Sequence, residues 1–145
     1  MIEAEFISKF DDADAVDMSD TTTNITEENI KELHILADRY PQAQSAIIPM
    51  LHLVQSIDGK VSGEGVRHIA RILDLPEAVV LGVVTFYTMF HKEAVGKHLI
   101  GVCTTSLCAV MGGDMVYETV RKHLGLDGEG TTEDGAFTLL SLIHI

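Results

Sequence analysis

From Asn24 onward the apolar positions fall into a helical rhythm. Asn24 and Thr26 are both good N-caps and Glu27 and Glu28 suit a helix N-terminus. Ile30, Leu33, Ala37 and Tyr40 then follow at helical spacing until Pro41 closes the run. A second stripe, Ala46, Ile47, Met50, Leu51, Val54 and Ile57, predicts another helix, in which Pro49 either marks the first turn or forces a kink; Asp58-Gly59 reads as the turn that ends it. Ser62 can cap a third helix with Val66, Ile69, Ala70 and Leu73 inward. Pro76 suits the first turn of a fourth with Val79, Val80, Val83 and Val84 inward. Phe86, Tyr87, Met89 and Phe90 then form an aromatic-rich segment, so residues 25–90 read as a small helical bundle.

Beyond Lys97 the period changes. His98 to Val102 is a short apolar run suited to a buried strand, and it leads straight into Cys103-Thr104-Thr105-Ser106-Leu107-Cys108. A helix follows with Val116, Val120 and Leu124 on one face and Gly125 as its C-cap, while Gly112-Gly113 weakens its first turns. Asp127 to Gly135 reads as a polar loop and Ala136 to Leu140 as a second strand. The whole is α+β, a helical bundle followed by the opening of an α/β domain.

Charge changes this picture at one end. The chain of 145 residues carries a formal net charge of -12, and nine acids against one base fall between Met1 and Ile30. The stretch from Asp11 to Asn24 has neither helical nor strand period, so residues 1–24 read as a solvated, disordered acidic arm. Such a balance excludes a nucleic-acid binder, which needs a basic surface. No apolar run approaches the roughly 18 residues of a membrane span, and Glu3 and Glu5 stand where a signal peptide carries positive charge. The expectation is a cytoplasmic protein, held at a membrane only through partners.

Two cysteines, Cys103 and Cys108, complete the candidate chemistry. A strand end followed by a helix start can aim both sulfurs at one centre, where backbone amides and the hydroxyls of Thr104, Thr105 and Ser106 can stabilise anionic sulfur. A [2Fe-2S] cluster takes four thiolates, two per iron, so the pair suits one iron. On a bare C-x4-C spacing, two buried small residues or a reducible disulfide is the more ordinary reading. Thioredoxin-type redox chemistry goes with C-x-x-C, and zinc needs two more ligands at short spacing. His34, His52, His68, His91, His98 and His123 are scattered and read as surface or core-edge residues.

Several segments carry a resemblance. Arg39-Tyr40-Pro41 with Ser45 to Leu53, Val83 to Phe90, Val102-Cys103-Thr104-Thr105-Ser106-Leu107-Cys108, Leu124-Gly125-Leu126 and Gly130 to Leu139 stand in one register. Over roughly residues 25–139 the chain resembles the [2Fe-2S] subunit family of NADH:quinone oxidoreductase, respiratory complex I. That family includes the small subunits of NAD-linked hydrogenases and formate dehydrogenases. The resemblance implies an incomplete thioredoxin-like domain over 97–145 after the helical domain, with Cys103 and Cys108 as the first two ligands of a [2Fe-2S] cluster. It implies an electron carrier beside a larger partner subunit that binds flavin and NADH. The alternatives are the equivalent hydrogenase or formate dehydrogenase subunit, or a helical interaction module without metal.

The match departs at Leu140. The family's second pair, C-x3-C, has no counterpart, His144 falls near the expected third cysteine, and Leu140 to Ile145 reads as foreign sequence on a truncated frame. Histidine ligates iron in Rieske centres only as a pair, so His144 is not expected to serve. A monomer of this chain is therefore not expected to hold a stable cluster.

Overall fold

The computed structural model describes residues 16–143 and divides between Ala94 and Val95 into two compact units. The first contains α1 (Glu27–Asp38), a 3-10 turn (Ala43–Ala46), α2 (Ile47–Asp58), α3 (Gly63–Leu73) and α4 (Glu77–Phe86).

Local chemistry sets the helix ends. Thr26 caps α1: its hydroxyl oxygen accepts from the Asn29 amide, and Asn29 Oδ1 accepts from the Thr26 amide at 2.9 Å, so two orphan donors are satisfied at once. Asn24 is not the cap; its amide donates to Asp58 Oδ1 at 2.7 Å. The helix stops at Asp38, short of Tyr40, since Pro41 drives its predecessor out of the helical region. Pro49 lies in the first turn of α2, where a missing N–H loses no helical bond. Ser62 caps α3, its oxygen accepting from the Gly65 amide at 3.1 Å while its hydroxyl donates to Asp58 Oδ2 at 2.7 Å. Leu33, Ile47, Met50, Leu51, Val54, Val66, Ile69, Val80 and Val84 close the core.

Part of the expected acidic arm, residues 16–24, lies among the described residues. Residues 16–24 lie along the bundle instead of standing free: Val16 is buried, and Lys60 Nζ meets Asp20 Oδ2 at 2.8 Å. Arg67 donates to the Met18 carbonyl and Thr23 Oγ1 to Asp58 Oδ2 at 2.9 Å. Gly63 makes room, because a Cβ there would sit 2.7 Å from the Asp17 carbonyl oxygen and 3.1 Å from that of Asp20. Absence of apolar period did not mean absence of partners; two cations and a Cβ-free helix start hold this strap. Residues 1–15 and His144 lie outside the described residues.

The aromatic segment splits. Gln55 clamps it, Nε2 donating to the Met89 carbonyl at 3.1 Å and Oε1 accepting from the His91 amide at 2.7 Å. Phe90 is thereby buried, with its ring 5.1 Å from that of His52, while Phe86 stays 77% exposed.

The second unit comprises β1 (His98–Cys103), α5 (Ser106–Val110), α6 (Gly113–Leu124), β2 (Gly130–Thr131) and β3 (Phe137–Leu142). The sheet order is β1-β3-β2; β1 and β3 are parallel, with His98 opposite Phe137 and Cys103 opposite Leu142. β2 runs antiparallel to β3 from within the expected polar loop, since the Thr132–Gly135 turn folds the chain back on itself. Three findings differ from the pattern. The expected single helix is two, divided at Gly112, whose φ of 98° is left-handed. β3 continues through Ser141 and Leu142, past the expected end at Leu140. No residue of β1 is buried; among the described residues of this unit only Thr138 and Leu139 are. Apolar sequence gave β1 the capacity for burial, but an edge strand is buried only when a second layer covers it.

Candidate metal centre

Parallel pairing of β1 with β3 carries the chain to Cys103, the last residue of the strand. The chain then turns through Thr104 and Thr105 into α5, whose third residue is Cys108. Neither cysteine is in a disulfide, and both are half-buried. They stand close enough to affect one another: a hydrogen bond with Cys103 is the largest influence on the Cys108 thiol and pushes it above the usual thiol value. Burial and the Cys103 charge act the same way, and a hydrogen bond from Thr105 opposes them. Without a metal the pair therefore resists carrying two negative charges.

The hydroxyls divide their roles. Thr105 Oγ1 lies 3.0 Å from Cys103 Sγ and donates to the Ile143 carbonyl at 2.7 Å; that same carbonyl accepts from the Cys103 thiol at 3.0 Å. Thr104 is no sulfur donor here, because its hydroxyl pairs with Ser141 Oγ at 2.7 Å. An acceptor carbonyl against Cys103 suits a protonated thiol and repels a thiolate.

Sequence reading assigned Gly112-Gly113 only a cost to the helix. The structure gives the pair a task. A Cβ on Gly113 would stand 2.6 Å from the Cys103 carbonyl oxygen and 2.9 Å from that of Cys108, so α6 can close on the cysteine loop only through a residue without a side chain. The signal was present in the sequence as two glycines shortly after the second cysteine, at the start of an amphipathic helix.

The fit to a cluster is half complete. Cys103 and Cys108, at the end of β1 and in α5, carry sulfur donors of the type an iron of such a cluster takes, and the sequence has no third cysteine. Among the described residues no group of three or more His, Cys, Asp or Glu gathers into a metal site.

Comparison with known proteins bears on the same stretch. The profile of the thioredoxin-like [2Fe-2S] ferredoxin family matches residues 33–143, through Ser141 and Leu142 and so beyond the end of the resemblance read from the sequence. An NADH-quinone oxidoreductase subunit of Mycobacterium bovis is 46% identical over 101 residues, covering 70% of this chain and 40% of that protein. The mitochondrial NADH dehydrogenase [ubiquinone] flavoprotein 2 of Dictyostelium discoideum is 33% identical over 125 residues, 84% of this chain and 51% of that protein. The corresponding NADH-quinone oxidoreductase subunit of Rickettsia bellii is also 33% identical over 125 residues, there covering 75% of the relative. The chain thus spans between two fifths and three quarters of the length of these relatives.

Proposed function

The chain belongs to the thioredoxin-like [2Fe-2S] ferredoxin family, and on that footing we propose that it is an electron-transfer subunit of an NADH:quinone oxidoreductase. Cys103 and Cys108 ligate one iron of a [2Fe-2S] cluster. A bound cluster would supply one-electron storage. The chain's own part is to fix the two sulfurs, with Thr105 Oγ1 3.0 Å from Cys103 Sγ, and to shield them with the β1–α5 turn. It holds no flavin or nicotinamide; a larger flavin- and NADH-binding subunit supplies those. Attachment to the membrane runs through the complex, since no described helix is long and apolar enough to cross one.

One observation carries the reading. Two thiols that influence each other directly stand at a strand end and in the helix that follows, under a glycine that lets the next helix close on both. That arrangement falls within the stretch the family profile covers. Electron paramagnetic resonance tests it on the dithionite-reduced, cluster-loaded chain whose sequence from Leu140 is replaced by the family's continuation with its C-x3-C pair. A two-iron signal that Cys103→Ser and Cys108→Ser each remove is the expected result. A signal indifferent to both substitutions, or none in any preparation, overturns the assignment.

A further inference from the structure

Among the described residues the helical unit leaves one apolar face open. From Ala78 to Phe90 no residue carries charge. Val80, Val84 and Phe90 turn inward and are buried, but the other side of α4 and the turn behind it face out: Phe86 is 77% exposed and Met89 43%. Phe86 projects beside a gap, since a Cβ on Gly82, one helical turn earlier, would meet nothing within 4 Å. The face is held in place. The Phe86 ring stands edge-on to that of Tyr87 at 5.0 Å, and Gln55 fixes Met89 through its carbonyl.

The strap begins at the same end of the bundle. A Cβ on Gly63 would stand 2.7 Å from the Asp17 carbonyl oxygen, and two residues earlier the Val61 amide donates to the His91 carbonyl at 2.7 Å. Fifteen residues of the sequence precede Val16. Phe10 is six positions from Val16 and Ile2 fourteen, which gives reaches of up to ~20 Å and ~50 Å. The twelve residues of α1 measure only ~18 Å, so these reaches span the bundle. Ile2, Phe6 and Phe10 fall four apart. That interval puts them on one face of a helix and, being even, on one face of an extended strand as well. Asp11, Asp12 and Asp14 then separate this apolar group from Val16, as a connection in water requires.

We propose that residues 2–10 fold back onto the helical unit, with Ile2, Phe6 and Phe10 covering Phe86, Met89 and the gap at Gly82. Three grounds select this segment over a second copy or another protein. Residues 16–24 already tie it to the unit it covers, so closure is intramolecular and gains the effective concentration of a short tether. Its three large side chains are uncharged and apolar, as is the face they meet. The contact also continues one already present, because Val16 is buried in the same core as Val80, Val84 and Phe90. The arm thereby shields an apolar face that would otherwise pair with other molecules.

Chymotrypsin, which cuts after phenylalanine, reads the closure on the full chain. Cleavage tracks the population of the open form, so cutting after Phe6 and Phe10 should be at least about tenfold slower than in Phe86→Asp with Met89→Asp. Both substituted positions are exposed, so the fold should stand, as an unchanged circular dichroism spectrum and urea midpoint would verify. The protection is expected at every chain concentration. Protection lost on dilution would give the face to a second copy and overturn the proposal, as would equal cutting of the two chains. Should the double variant misfold, nuclear Overhauser contacts in the unaltered chain decide. Cross-peaks from the Met89 methyl to the ring of Phe6 or Phe10 uphold the docking, and their absence overturns it.

Discussion

In the helical unit, fifteen buried apolar side chains from the strap, all four helices and the segments between them close on one another. Among the described residues of the α/β unit Leu139 alone of the apolar ones is buried, while Leu99, Leu107, Val110, Met115 and Val116 face out. Neither unit is short of apolar sequence. What separates them is whether each stripe meets another: Leu33, Met50, Val66 and Val80 come from four helices and face one interior, whereas β1 and α6 cover each other without burying a residue of either. Periodicity gives the capacity for burial, and a second layer realises it. The helical unit therefore carries the stability of the chain, and the α/β unit is where a cluster or another chain has most to add.

The widest gap between the units should appear in core truncations. Leu51→Ala, at a fully buried site, is expected to cost about 2–5 kcal/mol in urea unfolding. Val116→Ala, half exposed on α6, should stay within about 0.5 kcal/mol. Comparable losses at the two sites would erase the distinction.

Gly113→Ala sharpens it from the other side. The added methyl meets the carbonyls of both cysteines, an overpacking of about 1–3 kcal/mol confined to the α/β unit. Hydrogen exchange should show faster amides in β1, α5 and α6, unchanged protection in α2 and α3, and cluster content should fall. Slowed or unaltered exchange around the cysteines would show that the close approach does not matter.

Much of the helical unit was legible in sequence. The caps Thr26 and Ser62, the stripes of α2 and α3 and the Asp58-Gly59 stop all follow from local chemistry that acts within a few residues. The strap was not legible, because its partners Asp58, Lys60 and Arg67 are distant in sequence and no local period announces them. The candidate site was legible as a cysteine spacing. The tasks of Gly113 and Thr105, and the turning of Thr104 toward Ser141, depend on β3 and α6 folding back over the loop.

The strap offers a smaller test. Val16→Ala should cost about 1 kcal/mol. The Lys60 ammonium, with the Thr22 amide and hydroxyl, holds the Asp20 carboxyl down at about 2. A carboxyl with a depressed folded value stabilises the fold above its ordinary value near 3.8 and loses that contribution as pH falls from there through about 2. Acid unfolding of Lys60→Ala should therefore be shallower across that window; an unchanged profile would mean that the contact adds nothing in solution.

Smallest is the effect of His91, whose imidazole is pulled below its ordinary 6.5 by burial. Its neutral form is favoured in the fold, so stability is full above 6.5 and declines as pH falls below it. His91→Asn should remove that slope from a urea-midpoint series, and a slope left intact would assign it to another group.

The account's central claim is that cysteine sulfur from this chain binds the iron, and electron–nuclear double resonance on the reduced, cluster-loaded protein tests it most directly. Because Cys103 and Cys108 are the only cysteines, deuterating cysteine at Cβ labels just these two positions in each chain. The account predicts that the strongly coupled proton signals of the cluster vanish on deuteration and matching deuterium signals appear. Proton couplings that persist unchanged would contradict ligation by this pair.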